Sequence, residues 1–311
     1  MKTSVQKEFS RAMLSAGFKH LHGFFSAGVV IMLTVCFGIP LYILALIKFL
    51  IRRPRWYRAT TRTSGWLVER WIGCIVLLIR FTLKTKWDIQ PVEGLDRHQW
   101  YFINSNHQFW TDIPVLLMVF RNHLPTLRVF AKREILWVPI VGVACWGMDF
   151  PFMKRYSRAY LKQHPEKRGE DLEITRRACQ RYKDTPVAIL NFIEGTRFRA
   201  QKHRGQQSPY RHLLRPRAGG FAYALYAMDG RISTLLDVTI VYPKEPGGLW
   251  RFLCGCISQI VVRVEKSQIP EEYLHGNYLK DQDFRTRFQR WVNEGWQKKD
   301  ELIEQILQQT S

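Results

Sequence analysis

The chain has 311 residues, with 47 Lys and Arg against 26 Asp and Glu and a formal charge of +21. That length builds one large domain or two modest ones around a sizeable core. A surplus of this sign draws polyanions, and 11 Trp, 12 Tyr and 19 Phe beside an uncharged apolar stretch favour an anionic phospholipid membrane, with no nucleic acid expected as partner.

In chain order, the first feature is Gly23 to Ile47, which carries no charged residue. As a helix it is long enough to cross a hydrocarbon core of roughly 30 Å. Gly38 and Pro40 interrupt the run, so a kink or a re-entrant hairpin competes with a straight span. Lys48, Arg52, Arg53, Arg55, Arg58 and Arg62 follow, and Lys2, Lys7, Arg11 and Lys19 make the other flank positive too. Charge therefore does not decide orientation, and a monotopic hairpin satisfies both flanks. Trp71 to Ile79 is a second apolar run, too short to span; a helix in the membrane interface and a buried core helix both fit.

Beyond it, strands are predicted at 100–104, 127–131, 187–192, 235–242 and 259–264, and helices at 113–120, 171–182, 217–227 and 281–307. This alternation predicts an α/β fold, a mixed and largely buried sheet flanked by helices, with the N-terminal segment inserted in membrane. Residues 1–84 are expected to form the anchor and interfacial helices, and 85–311 a catalytic domain ending in an amphipathic helix. In that last helix Phe284, Phe288, Trp291 and Val292 form an apolar stripe on a charged rod.

Two patches carry chemistry. In Asn106-His107-Gln108-Phe109-Trp110-Thr111-Asp112 the histidine falls between a strand and a helix start, with Asp112 placed as an N-cap would be. A carboxylate on Nδ1–H would fix the imidazole tautomer and leave Nε2 as a base. An ordinary loop histidine beside a capping aspartate is the alternative. The second patch, Glu194-Gly195-Thr196-Arg197, follows an apolar strand. Gly195 lets the backbone turn near a ligand, and Arg197 offers a fork suited to phosphate. Here the alternative is a local Glu194–Arg197 ion pair that shapes the loop. From Arg197 to Arg217 the chain carries seven basic residues and no acidic one, either a solvated loop or a collar for phosphates. Lys132, at the end of a predicted strand, is a further phosphate candidate. The six cysteines are scattered, and Cys254-Gly255-Cys256 is too tight for a zinc pair, so no metal is expected.

Together these patches resemble the glycerolipid acyltransferase family, the His-x4-Asp type that acylates 1-acyl-glycerol-3-phosphate and other lysophospholipids. Four blocks occur in the family's order: Asn106-His107 to Asp112; Phe152-Met153-Lys154-Arg155 after Pro139 and Gly142; Glu194 to Arg197; and Pro216 to Phe221 followed by Val238 to Pro243. The resemblance covers roughly residues 85 to 265 and is closest to a bacterial branch. Ile193 stands where many members have proline and Met153 where many have isoleucine, apolar exchanges that bear on substrate preference more than on the reaction.

The resemblance implies a membrane-docked N-terminal helix pair and a transfer from acyl-CoA or acyl-ACP, used as substrate with no bound cofactor, to a lysophospholipid hydroxyl. His107 would be general base and Asp112 its orienting partner. Arg197, with Arg155 and Lys132, would hold the acceptor phosphate, while Glu194, Gly195 and Thr196 shape the pocket. The acceptor is expected to be 1-acyl-glycerol-3-phosphate, with lysophosphatidylglycerol or lysocardiolipin as alternatives. The expected address is the cell inner membrane, catalytic domain on the cytoplasmic face. A non-catalytic scaffold on anionic membrane would explain charge and anchor but leave both patches as coincidence. A serine lipase is disfavoured by the lack of a Gly-x-Ser-x-Gly elbow.

Overall fold

A computed structural model describes residues 2–51, 53–129, 131–150, 152–153, 163–164, 176–177, 179–180, 182, 185–244, 248–278 and 280–310. Six strands make one sheet: β1 (Lys86–Ile89), β2 (Tyr101–Ser105), β3 (Leu127–Val129), β6 (Ala188–Phe192), β7 (Thr234–Val241) and β8 (Gln259–Gln268). Their order is β1-β8-β7-β2-β6-β3, with β7 and β8 antiparallel and every other pair parallel. Two short strands, β4 (Ala131–Lys132) and β5 (Phe152–Met153), pair separately. The expected strand 127–131 is thus split, and β1 was not predicted. Phe102, Ile103, Ile189 and Leu190 are buried on both faces of the centre, as parallel strands covered by helices must be. The mixed α/β architecture read from the sequence is the one observed.

One face packs on α6 (Gly219–Met228) and α8 (Gln282–Thr310), through Phe102, Phe221, Phe288 and Trp296. The other packs on α3 (Asp112–Phe120) and the end of α2 (Pro54–Thr82), through Ile103, Val115, Leu116 and Ile79. The apolar stripe of the last helix therefore belongs to the core. The expected helix at 171–182 falls mostly outside the described residues.

At the N-terminus α1 (Lys2–Leu50) runs unbroken through Pro40, so the re-entrant hairpin allowed within 23–47 does not form. Instead α2, the next helix, packs along α1. The Trp71 to Ile79 run is the inner part of α2 rather than a separate interfacial helix. Val68, Val76 and Ile79 are buried there, while Trp66, Leu77 and Phe81 on the same helix are exposed. Three contacts lay α1 along the α/β body. His22 meets Leu253 O of α7 (Gly248–Leu253), Tyr42 OH accepts the Ile140 N–H just before α4 (Val141–Gly147), and Lys48 donates to Gly147 O.

Candidate active site

The sheet brings the two patches together. Strands β2 and β6 are parallel neighbours with Ser105 opposite Phe192, so the segments leaving their carboxyl ends emerge side by side. One begins Asn106-His107, the other Ile193-Glu194. Strand β7, parallel to β2 on its other side, ends next to Tyr242. Asn106 extends the ladder with its side chain: Nδ2 donates to Ile240 O at 2.8 Å and Oδ1 accepts Ile240 N–H at 2.9 Å. Its amide thereby acts as one more backbone unit and fixes where His107 leaves the sheet.

His107 Nδ1 lies 2.8 Å from Asp112 Oδ2. The same oxygen accepts the N–H groups of Gln108 at 2.6 Å and Phe109 at 2.9 Å, and Oδ1 accepts Tyr242 OH at 2.7 Å. Asp112 is therefore not an N-cap: Thr111 holds that place without a side-chain cap bond, and the aspartate, in the helix's first turn, reaches back into the preceding turn. Burial, followed by the neighbouring Asp112, pushes the Tyr242 phenol well above its ordinary range and keeps it a donor. The Asp112 side chain is fully buried, whereas that of His107 is 15% exposed. The imidazole stacks on Phe192 with ring centroids 4.0 Å apart, so its orientation is set from the face and from one edge. With Nδ1–H donated to Asp112, Nε2 carries the lone pair.

Beneath this turn, Glu194 Oε1 accepts the His107 N–H at 3.2 Å. Burial pushes the Glu194 carboxyl up to about 8, against the pull of the His107 and Leu214 amides. Gly195 has φ +71°, the left-handed turn its residue type suits. Thr196 accepts a hydrogen bond from Lys202. Arg197 does not pair with Glu194: its guanidinium lies over the Trp110 ring, 4.5 Å from the centroid, which puts it above the His107 loop. Arg155 lies outside the described residues, and of Lys132 only the backbone is described.

The basic stretch divides. Arg211 and His212 bond to Glu304 of α8, their backbone N–H groups bond to Asp300, and Arg215 donates to Gln207 O, so these fasten the loop. Arg199, Arg204 and Arg217 are exposed. Trp110 also lines an apolar cavity of about 490 Å³ walled by α2, α3, β3 and α4, with Ile113, Pro114 and Leu190 close to the site in sequence. Sequence reasoning placed Asn106 and Tyr242 inside two of the four blocks but gave neither a role in the site. Among the described residues no group of three or more His, Cys, Asp or Glu is placed to hold a metal ion.

Comparison with known proteins finds the same region. The mouse 1-acyl-sn-glycerol-3-phosphate acyltransferase gamma is 28% identical over 200 residues, covering 60% of this chain and 47% of that protein. The Arabidopsis thaliana 1-acyl-sn-glycerol-3-phosphate acyltransferase 3 is 26% identical over 274 residues, 80% of this chain and 68% of that one. The chain thus spans about half the length of the mouse relative. The crystal structure of PlsC, the 1-acyl-sn-glycerophosphate (LPA) acyltransferase from Thermotoga maritima, has the same fold, with a TM-score of 0.53 at 18% identity over 94% of this chain and 98% of that one. The family model described as Acyltransferase matches residues 89–242. Those bounds run from the last residue of β1 to the tyrosine that holds Asp112 and enclose the His107 and Glu194 turns, and over them the chain matches the acyltransferase family.

Proposed function

We propose that this protein transfers a fatty acyl group from an acyl-thioester to the free hydroxyl of a lysophospholipid, with 1-acyl-glycerol-3-phosphate as acceptor and phosphatidic acid as product. The observation that carries this reading is the His107–Asp112 pair, 2.8 Å apart, with a guanidinium and an apolar cavity meeting at Trp110 beside it. Nε2 takes the proton of the acceptor hydroxyl as its oxygen attacks the thioester carbonyl. The C–O bond forms, the C–S bond breaks, and the proton passes from Nε2 to the leaving thiolate. Asp112 keeps the tautomer and stabilises the imidazolium in between. A thioester is already activated, so no covalent enzyme intermediate is needed. Arg197 neutralises the acceptor phosphate, while Glu194, Gly195 and Thr196 hold the turn that presents it. The apolar cavity takes the acyl chain.

The donor is acyl-coenzyme A or acyl carrier protein, both acidic, and exposed Arg199, Arg204 and Arg217 suit either. Residues 1–84 act as anchor and 85–311 as catalytic part. Contacts at His22 and Lys48 hold α1 against the body over 26 residues, about 39 Å at the helical rise. Its outer side shows Phe18, Leu21, Phe25, Met32, Ile39 and Leu46. A helix strapped along one flank over more than a bilayer core's thickness lies in the membrane plane rather than crossing it. We assign the anchor to the cytoplasmic leaflet of the inner membrane, the address expected from the family resemblance.

The test is transfer of labelled acyl groups to a panel of lysophospholipids by membranes holding wild type or His107→Ala. General-base catalysis contributes on the order of 10²–10⁴-fold, so the variant should fall by that factor with its thermal midpoint unchanged. Labelled phospholipid at wild-type rates from the variant, or none from either, defeats the reading. A membrane scaffold would be indifferent to the substitution.

A further inference from the structure

Asp149 lies two residues past the end of α4 and stands between Met148 and Phe150, both of which line the apolar cavity. Its φ of +60° is a left-handed conformation that aspartate adopts more readily than most residues. From there it gathers three other elements. Oδ1 accepts Lys48 Nζ of α1 at 3.0 Å and Tyr57 OH of α2 at 2.5 Å, Oδ2 accepts Thr61 Oγ1 of α2 at 3.4 Å, and the carbonyl accepts Tyr182 OH at 2.6 Å. Lys48 is buried. It also donates to Gly147 O at 2.9 Å, and its ammonium lies 4.3 Å from the Tyr57 ring centroid and 5.2 Å from that of Trp146.

Among the described residues of this node, two elements also supply cavity wall: α2 through Val68 and Ile72, and α4 through Val141 and Ala144. Val68, Ala144 and Met148 pack in one cluster with Leu41 of α1. None of Lys48, Tyr57, Thr61 and Asp149 lines the cavity itself. Among the described residues, the route from the node to a bound chain is the spacing of the α2 and α4 walls. Packed walls move as units rather than deform, so a small change in spacing changes which chains fit. An apolar pocket distinguishes one methylene by about 10- to 200-fold, which makes chain profile a sensitive readout of that spacing.

We infer that Asp149, clamped by Lys48 and Tyr57, is a positioning residue for acyl-chain selection: it sets the width of the cavity without touching its contents. This rests on the acyltransferase reading of the cavity. The node ties the helices that face the membrane to the helix that limits the chain, so chain choice and anchoring share one structural element.

The experiment gives the full chain in membranes an equimolar mixture of short, medium and long saturated acyl thioesters, presented on coenzyme A and on carrier protein, with lysophosphatidic acid as acceptor. Asp149→Asn keeps the shape and the left-handed turn but removes the charge that holds Lys48. Tyr57→Phe removes one hydrogen bond and is the mild arm, decisive by itself if Asp149→Asn does not accumulate. Ala144→Leu narrows the cavity directly and serves as the control.

Both node variants should raise the ratio of long-chain to short-chain product, by about fivefold or more for Asp149→Asn and less for Tyr57→Phe, with the acceptor KM unchanged. Ala144→Leu should lower it. A purely structural node would lower total rate or thermal midpoint and leave the ratio alone; that result, with Ala144→Leu active in shifting it, overturns the inference while the acyltransferase reading stands. An Ala144→Leu protein with the wild-type ratio removes the cavity from chain selection and overturns it too. Wild type that acylates nothing defeats the functional reading and the inference together.

Discussion

At the scale of single residues, Asp112 is the most constrained group in the site. It is fully buried and accepts from His107 Nδ1, from two backbone N–H groups and from Tyr242 OH. Hydrogen bonds to a charged group contribute about 1.5–3 kcal/mol each. Tyr242→Phe should accordingly lower kcat by about 10- to 100-fold while the acceptor KM holds, since the phenol orients the pair without meeting substrate. Steady-state kinetics decide it, and a wild-type kcat removes Tyr242 from the mechanism. Glu194 gives a pH signature. Burial pushes its folded carboxyl up to about 8, while the unfolded one titrates at its ordinary 4.5. Between those values the folded state holds a proton the unfolded state has lost. Its stabilising contribution is complete below about pH 4.5 and lost as pH climbs through about 8. Glu194→Gln cannot ionise, so its stability relative to wild type should rise across that window and level off above it. Denaturant titrations over the range check this; a difference that stays flat sinks the assignment. The His107–Asp112 pairing was legible because both residues lie in one short stretch. The Tyr242 contact was not, since it joins residues from two strands whose adjacency depends on sheet order.

At the scale of elements, α8 does more than cover the sheet. Lys299 is buried on it and reaches Val238 O at 2.6 Å, Thr239 Oγ1 at 3.1 Å and Asp237 Oδ1 at 3.1 Å. Burial pulls the ammonium down and pushes the Asp237 carboxyl up. Breaking such a pair on one side costs about 3–5 kcal/mol. Lys299→Met should destabilise by that order, and adding Asp237→Asn should recover part of it; urea unfolding of the single and double variants measures the coupling. Strictly additive losses would mean the two do not interact. One turn later, Glu304 holds Arg211 and His212, while Asp300 takes two backbone N–H groups of the same loop. The periodicity of Phe284, Phe288 and Val292 made the buried face of this helix readable. Lys299 and Asp300 were not readable as buried, because charged residues on an amphipathic helix ordinarily sit in solvent; a facing strand reverses that for Lys299 and a facing loop for Asp300. The strand pattern was readable for the same reason as the stripe, except at β1, where Lys86-Trp87-Asp88-Ile89 is too short and too polar to stand out.

At the scale of the whole molecule, the apolar run from Gly23 to Ile47 announced a helix fit for membrane, and one helix, Gly17–Leu50, is long and apolar enough to cross one. Its contacts with α4 and α7 join it to segments far along the chain and leave no local trace. The in-plane arrangement proposed above has a measurable consequence. Phe25→Asp, Ile39→Asp and Leu46→Asp, all on the exposed side of α1, should together abolish flotation with vesicles of anionic phospholipid, whereas raised salt should weaken it only in part, because screening leaves apolar burial intact. Flotation of the triple variant at wild-type levels would put the anchor elsewhere. A protein seated on one surface of a bilayer meets only the lipids of that surface and returns its product there. Under the proposed reaction and seating, each turnover would replace a wedge-shaped, single-chained lipid by a broader two-chained one, so the leaflet it occupies would gain area that the opposite leaflet does not. Sustained synthesis would bend or strain the sheet of lipid unless molecules flip across, which couples the growth of one half of the membrane to traffic into the other.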